Sequence, residues 1–348
     1  MQTESKSVSL AGLGNTGSIS APLLARMTQV ARITLVDPDV YEEKNLAVQN
    51  IDSQDIGKPK VSAQADKLRR INPRLDVTAL QERIEDVPLG KLRGDLFASC
   101  LDSRAARQYV NQAAARLNMP WIDCGILGSQ NLVRVNFYAP GLDAPCLECA
   151  WGPDDYLLLE QEYLCGAGSG LVFPTGSSSA LGALAASLMA LEITKLFSGE
   201  LTGPAATRQI LLDENNHILR VTTSRRNPDC RFDHMAWAVN PWRCRPESTT
   251  VATALKDLGS IQIEGHLFVR ELICPGCKRT EQSLRLNRPL AHCSACGRRM
   301  ASLGFGALER LDADSAREFL DLTLAQIGLR DGDIISSGMN NHWHLEAT

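Results

Sequence analysis

The chain has 348 residues, 44% of them apolar, and a formal net charge of −4. This size and composition suit one large core and a smaller one, and the mild acidity gives no nucleic-acid surface. No apolar run is expected to reach the roughly 18 residues of a membrane-spanning helix, and MQTESKS lacks a leader-like apolar stretch, so a cytoplasmic protein is expected, whose eleven cysteines serve metal binding or catalysis rather than disulfides.

In chain order, the apolar run VSLAG and the turn Gly12, Leu13, Gly14, Asn15, Thr16, Gly17 predict a strand, a tight loop and a helix over SISAPLLARMTQVA. The glycines let the strand turn sharply, the backbone lie against phosphate oxygens, and the helix present unpaired N–H groups to negative charge. Asp37 ends the next apolar run, ITLV, about 20 residues on, where a carboxylate binds ribose hydroxyls. The unit therefore predicts a nucleotide. Lys58 and Lys60 in GKPKV precede an amphipathic helix, and Asp102 ends the buried strand of DLFASCLD. A lysine and a strand-end carboxylate around such a loop suit a magnesium nucleotide, with Asp102 acting through Mg²⁺ and Lys60 as a fixed charge on the phosphates. A helix-capping aspartate is the competing use of Asp102.

Short apolar runs alternate with amphipathic stretches from Val8 to about Ala139, which predicts a doubly wound α/β domain with a mainly parallel Rossmann-type sheet. An irregular segment from Pro145 to Gly182 follows, with a crossover loop at about 150–182 that contains Cys165. LGALAASLMALEITKLF then reads as a long apolar helix, either core or an oligomer face. RQILLDENNHILRVTTSRR reads as a strand pair and PWRCRPES as a linker, dividing the chain into 1–246 and 247–348. In the second part, Cys274, Cys277, Cys293 and Cys296 have zinc-ribbon spacing, and LDADSAREFLDLTLAQIGL is an acidic amphipathic segment. Cys146 and Cys149 form a further CxxC able to share one tetrahedral ion. Cys230 lies downstream, with His234 or Asp233 as fourth ligand.

The ordered motifs GLGNTG, LVDPD, Asn45-Leu46 with Gln49, GKPKV, RINP, Asp102 with Arg107 and Asn111, PCLEC and ALEITK resemble the E1-like activating enzymes. That family includes the molybdopterin and thiamine biosynthesis adenylyltransferases and the ubiquitin activators. The resemblance covers about two thirds of the chain, from Leu10 to about Asp233. It implies ATP-dependent adenylation of the C-terminal carboxylate of a ubiquitin-like or sulfur-carrier protein that ends in glycine. It also implies Asp37 on the ribose, Asp102 on Mg²⁺, Lys60, Asn45 and Gln49 around the phosphates, and a structural zinc at Cys146, Cys149, Cys230 and His234.

Cys165 stands where the family carries its acceptor thiol, so a thioester and transfer to an E2-like acceptor in a bacterial conjugation system are expected. A sulfur-carrier adenylyltransferase without a thiol step is the alternative. The apolar helix suits a homodimer. Val48 replaces the arginine of the family's NLxRQ element, and the seven residues before Val8 contain no arginine. Triphosphate neutralisation is therefore expected from Lys44, Lys58 or Arg107, or else ATP binding is weak or partner-dependent. Two other classes compete. A nicotinamide oxidoreductase leaves Lys60 and Asp102 without roles, and a non-catalytic scaffold would explain the missing arginines.

Overall fold

The computed structural model describes residues 5–160, 178–288, 292–302, 306–338 and 340–347. It divides into two compact units, Met1–Glu85 with Leu92–Ala236, and Asp86–Lys91 with Trp237–Thr348.

The first unit runs β1 (Lys6–Ala11), α1 (Asn15–Leu24), β2 (Val30–Val36), α2 (Lys60–Ile71), β3 (Asp76–Leu80), β4 (Leu96–Ser99) and α3 (Arg104–Arg116). It continues with β5 (Trp121–Leu127), β6 (Leu132–Tyr138), α4 (Pro153–Glu160), α5 (Ser179–Phe197), β7 (Arg208–Asp213) and β8 (Ile218–Thr223). The sheet order is β3-β2-β1-β4-β5-β6-β7-β8. Strands β3 to β5 pair in parallel and β5 to β8 antiparallel. The chain leaves β1 toward β2 and β3 and returns on its other side as β4, so a topological switch point falls between β1 and β4, where such sheets bind ligands. Residues 7–11 of β1 are all buried, as expected for a central strand covered on both faces.

Leu181, Ala185, Met189 and Ile193, each four residues apart on α5, join the core with Leu10, Leu35, Ile122 and Val135. This helix corrects the expectation that no apolar run reaches spanning length. Ser179–Phe197 passes by length and composition, with mean hydropathy 1.5. Its buried stripe lies in the core of the unit, and Glu192, 2% exposed, is held by Arg208 and Lys195.

The second unit contains β9 (Val239–Arg243), α6 (Val251–Leu258), β10 (Ile261–Gln262), β11 (Phe268–Ile273), β12 (Thr280–Leu286), β13 (Ala301–Ser302), β14 (Arg310–Leu311), β15 (Ile334–Ser336) and β16 (His342–Glu346). One sheet is ordered β14-β10-β15-β16-β9 and the other, carrying the ribbon cysteines at its ends, β12-β11-β13. The segment expected to be a linker is in part strand: β9 pairs in parallel with β16, so 237–246 belongs to this unit and not to the first. The acidic stretch from Leu311 forms turns. Asp312 and Ser315 exchange side-chain-to-backbone hydrogen bonds of 2.8 Å, as Thr323 and Gln326 do at 2.8 and 3.2 Å, and such local bonds compete with a helix.

Candidate nucleotide and metal sites

The glycine loop follows β1 at the switch point, and two of its glycines have no room for a side chain. Gly12 has φ +85°, and a Cβ on it would fall 2.6 Å from the Cys100 carbonyl oxygen, while one on Gly17 would fall 1.8 Å from the Gly12 oxygen. Helix α1 begins after Gly14 with no side-chain cap and no acidic residue in its first turn, so its leading N–H groups remain suited to an anion. Asn15 Nδ2 donates to the Ser178 carbonyl at 3.1 Å, and a Cβ on Gly182 would strike Asn15 Oδ1.

Asp37 directly follows β2 and bonds to this loop. Its carboxylate accepts from the Leu13 N–H at 2.6 Å and the Asp39 N–H at 2.9 Å. Burial raises its pKa above the usual carboxylate value, against the pull of Lys60 and these two N–H groups. Lys60, the first residue of α2 and 8% exposed, lies 2.9 Å from Asp39 and 3.9 Å from Asp37. Sequence reasoning missed the support behind them. The Tyr41 hydroxyl donates to the Leu13 carbonyl at 3.1 Å and accepts from Gln64 Nε2 at 2.9 Å, fixing the loop from below.

No hydrogen bond or ion pair among the described residues joins Asn45, Gln49 or Asp102 to that group. Asn45 Oδ1 accepts from the Glu42 N–H at 2.8 Å, and Gln49 Oε1 is buried without a partner among the described residues. Asp102 is exposed, and Ser103, not Asp102, caps α3 by accepting from the Ala106 N–H, which removes the capping account of the aspartate. Of the expected phosphate cations, Lys44 and Lys58 pair with Glu42 and Asp55 at 2.9 and 3.6 Å. Arg107 lies 3.3 Å from Asp123, a buried aspartate that also faces Arg134 at 3.4 Å.

The first thiol cluster is positioned by α3. Glu148, between the CxxC cysteines and 2% exposed, accepts from Gln108, Asn111, Gln112 and Tyr156 at 2.9–3.2 Å, and Asn111 Oδ1 accepts from the Leu147 N–H. Ligand atoms of Cys146, Cys149, Cys230 and His234 all lie within 4.8 Å of one another. His234 Nδ1 is 3.0 Å from the Ala144 carbonyl, which places the proton on Nδ1 and leaves Nε2, 3.3 Å from Cys146 Sγ and 3.6 Å from Cys149 Sγ, free to ligate.

Cys274, Cys277, Cys293 and Cys296 also converge within 4.8 Å. The Cys277 N–H donates to Cys274 Sγ and the Ala295 N–H to Cys293 Sγ, bonds that stabilise thiolates. Both sets fit tetrahedral zinc. Burial pushes the Cys100 thiol up to about 12 and Cys124 well above its usual value, so neither is a nucleophile at neutral pH. Cys165 lies outside the described residues.

The ThiF family model matches residues 2–232. Sulfur carrier protein ThiS adenylyltransferase of Escherichia coli K12 is 32% identical over 226 residues, covering 64% of this chain and 84% of that protein. Molybdopterin-synthase adenylyltransferase of the same organism is 28% identical over 64% of this chain and 85% of its own length. Ubiquitin-like modifier-activating enzyme 5 of Bombyx mori is 30% identical, but over only 43% of this chain and 41% of that protein. Among solved structures, E. coli MccB with ATP superposes with a TM-score of 0.52 at 23% identity, covering 65% of each chain, a likeness of fold.

Proposed function

The chain belongs to the ThiF family and is an E1-like adenylyltransferase, and from that premise we propose that it uses Mg·ATP to activate the C-terminal carboxylate of a glycine-terminated sulfur-carrier protein. The observation that carries this reading is the uncapped N-terminus of α1, set over the buried Asp37 and Lys60 pair within the matched region. Coverage favours a sulfur carrier over a bacterial conjugation pathway. The relative named for ThiS matches over 64% of this chain, and the ubiquitin-like modifier enzyme over 43%. A thioester on Cys165 and an E2-like acceptor belong to that second pathway.

In this reading the substrate carboxylate, already ionised at neutral pH, needs no general base. One of its oxygens attacks the α-phosphorus of ATP, forming the acyl-adenylate bond as pyrophosphate departs. Charge concentrates on the transferring phosphate, where preorganised donors are most effective. The N–H groups of α1 and the Lys60 ammonium supply them, Asn45 and Gln49 hold the phosphates, and Asp37 holds the ribose. Asp102 would hold Mg²⁺, which supplies further charge neutralisation. The two cysteine sets would hold structural zinc. Exposed Leu184 and Leu191 on α5 suit a homodimer, and the enzyme would act in the cytoplasm.

Pyrophosphate exchange into ATP, measured with Mg²⁺ and a glycine-terminated carrier such as ThiS, tests the reading. Carrier-dependent exchange is expected; hydride transfer with nicotinamide and no exchange would replace it with the oxidoreductase reading.

A further inference from the structure

Asp123 is fully buried near the middle of β5, where it accepts hydrogen bonds from Ser99 and Arg134 and forms an ion pair with Arg107. Ser99 Oγ donates to Oδ1 at 2.9 Å, Arg107 Nε lies 3.3 Å from Oδ1, and Arg134 Nη2 lies 3.4 Å from Oδ2. The Trp121 indole N–H donates in turn to Ser99 Oγ at 2.9 Å, and Trp121 itself is buried. Two guanidiniums therefore meet one carboxylate, and among the described residues the cluster carries one positive charge in excess. Elsewhere around the loop the described cations are matched: Lys60 by Asp37 and Asp39, Lys44 by Glu42, and Lys58 by Asp55.

Placement makes this excess useful. Ser99, the last residue of β4, is the register partner of Asp123, and Arg134 on β6 is the register partner of Gly125 on β5. The cluster thus follows the carboxyl end of β4, beside the segment that leads through Asp102 into α3. A Cβ on Gly125 would fall 2.7 Å from Arg107 Nη2, so glycine is what admits the guanidinium to the strand surface. Asp123 is out of reach of solvent, whereas the side chain of Arg134 is 35% exposed and that of Arg107 19%. Nε of each arginine is buried without a hydrogen-bond partner among the described residues, and guanidinium N–H groups are suited to a carboxylate or phosphate.

We propose that Arg134 and Arg107, oriented by Asp123, form a binding site for an anionic oxygen pair of the reacting complex, either the carboxylate of the protein substrate or a phosphate of the nucleotide. The site rests on the adenylyltransferase reading for its biological ligand, and it would supply the positive charge that Val48 does not. Arg134 is the binding residue and Asp123 the positioning one.

Inorganic sulfate serves as a probe independent of activity. Titration into the full-length protein, followed by tryptophan fluorescence, is expected to saturate, and Arg134→Gln to weaken binding at least about ten-fold, with Arg134→Lys intermediate. In pyrophosphate exchange, a ten-fold rise confined to the carrier KM assigns the carboxylate, and one confined to the ATP KM assigns the phosphate. Arg134→Gln with wild-type sulfate affinity and both KM values unchanged, in protein whose melting temperature matches the wild type, would overturn the proposal. If Arg134→Gln is unstable, the same comparison with Arg134→Lys decides. Sulfate discrimination in an enzyme with no exchange activity would leave the anion site standing and remove the adenylation reading.

Discussion

Arg116 and Asp233 face each other as a bidentate ion pair, with Arg116 Nη2 3.1 Å from Asp233 Oδ2, while Nη1 also donates to the Met235 carbonyl at 3.0 Å. The guanidinium lies 4.8 Å from the centroid of the Phe232 ring. This contact engages the carboxylate of Asp233. The chain turns through left-handed φ at His234, +60°, and it is the imidazole that enters the thiol cluster.

Purified protein is accordingly expected to contain two equivalents of zinc, one per cluster. In metal analysis by plasma mass spectrometry, His234→Ala should lose one equivalent and Cys293→Ser the other, while Asp233→Asn keeps both. Full zinc occupancy in His234→Ala would remove the histidine from the ligand set. Because ligands form a site only in the folded chain, chelation should also lower the melting temperature.

Asp102 and Lys60 should separate in their effects on stability. Asp102 is exposed and makes no hydrogen bond or ion pair among the described residues, so Asp102→Asn should change stability by no more than about 0.5 kcal/mol and still reduce pyrophosphate exchange about 100-fold. Lys60→Ala removes the cation from buried Asp37 and should cost both exchange and melting temperature. Normal exchange in both variants would place the charge stabilisation elsewhere.

Gly17→Ala tests the loop itself. Its Cβ would meet backbone, the Gly12 oxygen at 1.8 Å, so the loop must deform at a cost on the order of 3 kcal/mol. Denaturant unfolding measures this directly. Gly14→Ala meets nothing within 4 Å and should be far milder.

The raised pKa of Asp37 gives a pH dependence of defined sign. Burial disfavours its charged form, so acidification protonates it above the usual 3.8, and nucleotide affinity should fall as pH drops through that raised value. Linkage runs the other way for the free protein. The ionised carboxylate costs the fold stability as pH rises through the folded pKa, and protonation returns it. Adenosine binding compared between wild type and Asp37→Asn isolates the effect. An acid limb that persists unchanged in Asp37→Asn would assign it to another group.

Cys165→Ser distinguishes the two pathways. Adenylation of a sulfur carrier without a thiol step predicts unchanged pyrophosphate exchange and no reductant-labile adduct on the wild type. A labile wild-type adduct that becomes an ester in the variant would instead support the conjugation pathway.

The nucleotide loop was legible in the chain because its determinants are local. Glycines at 12, 14 and 17 and the acid at 37 act within one strand-turn-helix unit, whose conformation follows from short-range sterics. The CxxC pairs were legible for the same reason, since that spacing lets two thiolates reach one ion, whereas Cys230 joins Cys146 from 84 positions away. The sequence left His234 and Asp233 as alternatives, and gave no sign that Asp123 would gather Arg107 and Arg134. Those outcomes depend on partners brought together from distant parts of the chain. Arg116 reaches Asp233 over 117 positions, and β9 finds β16 at the far end of the chain to become strand where a linker was expected. Charge pairing of buried groups is decided by which side chains folding places within reach, and no local pattern encodes that distance.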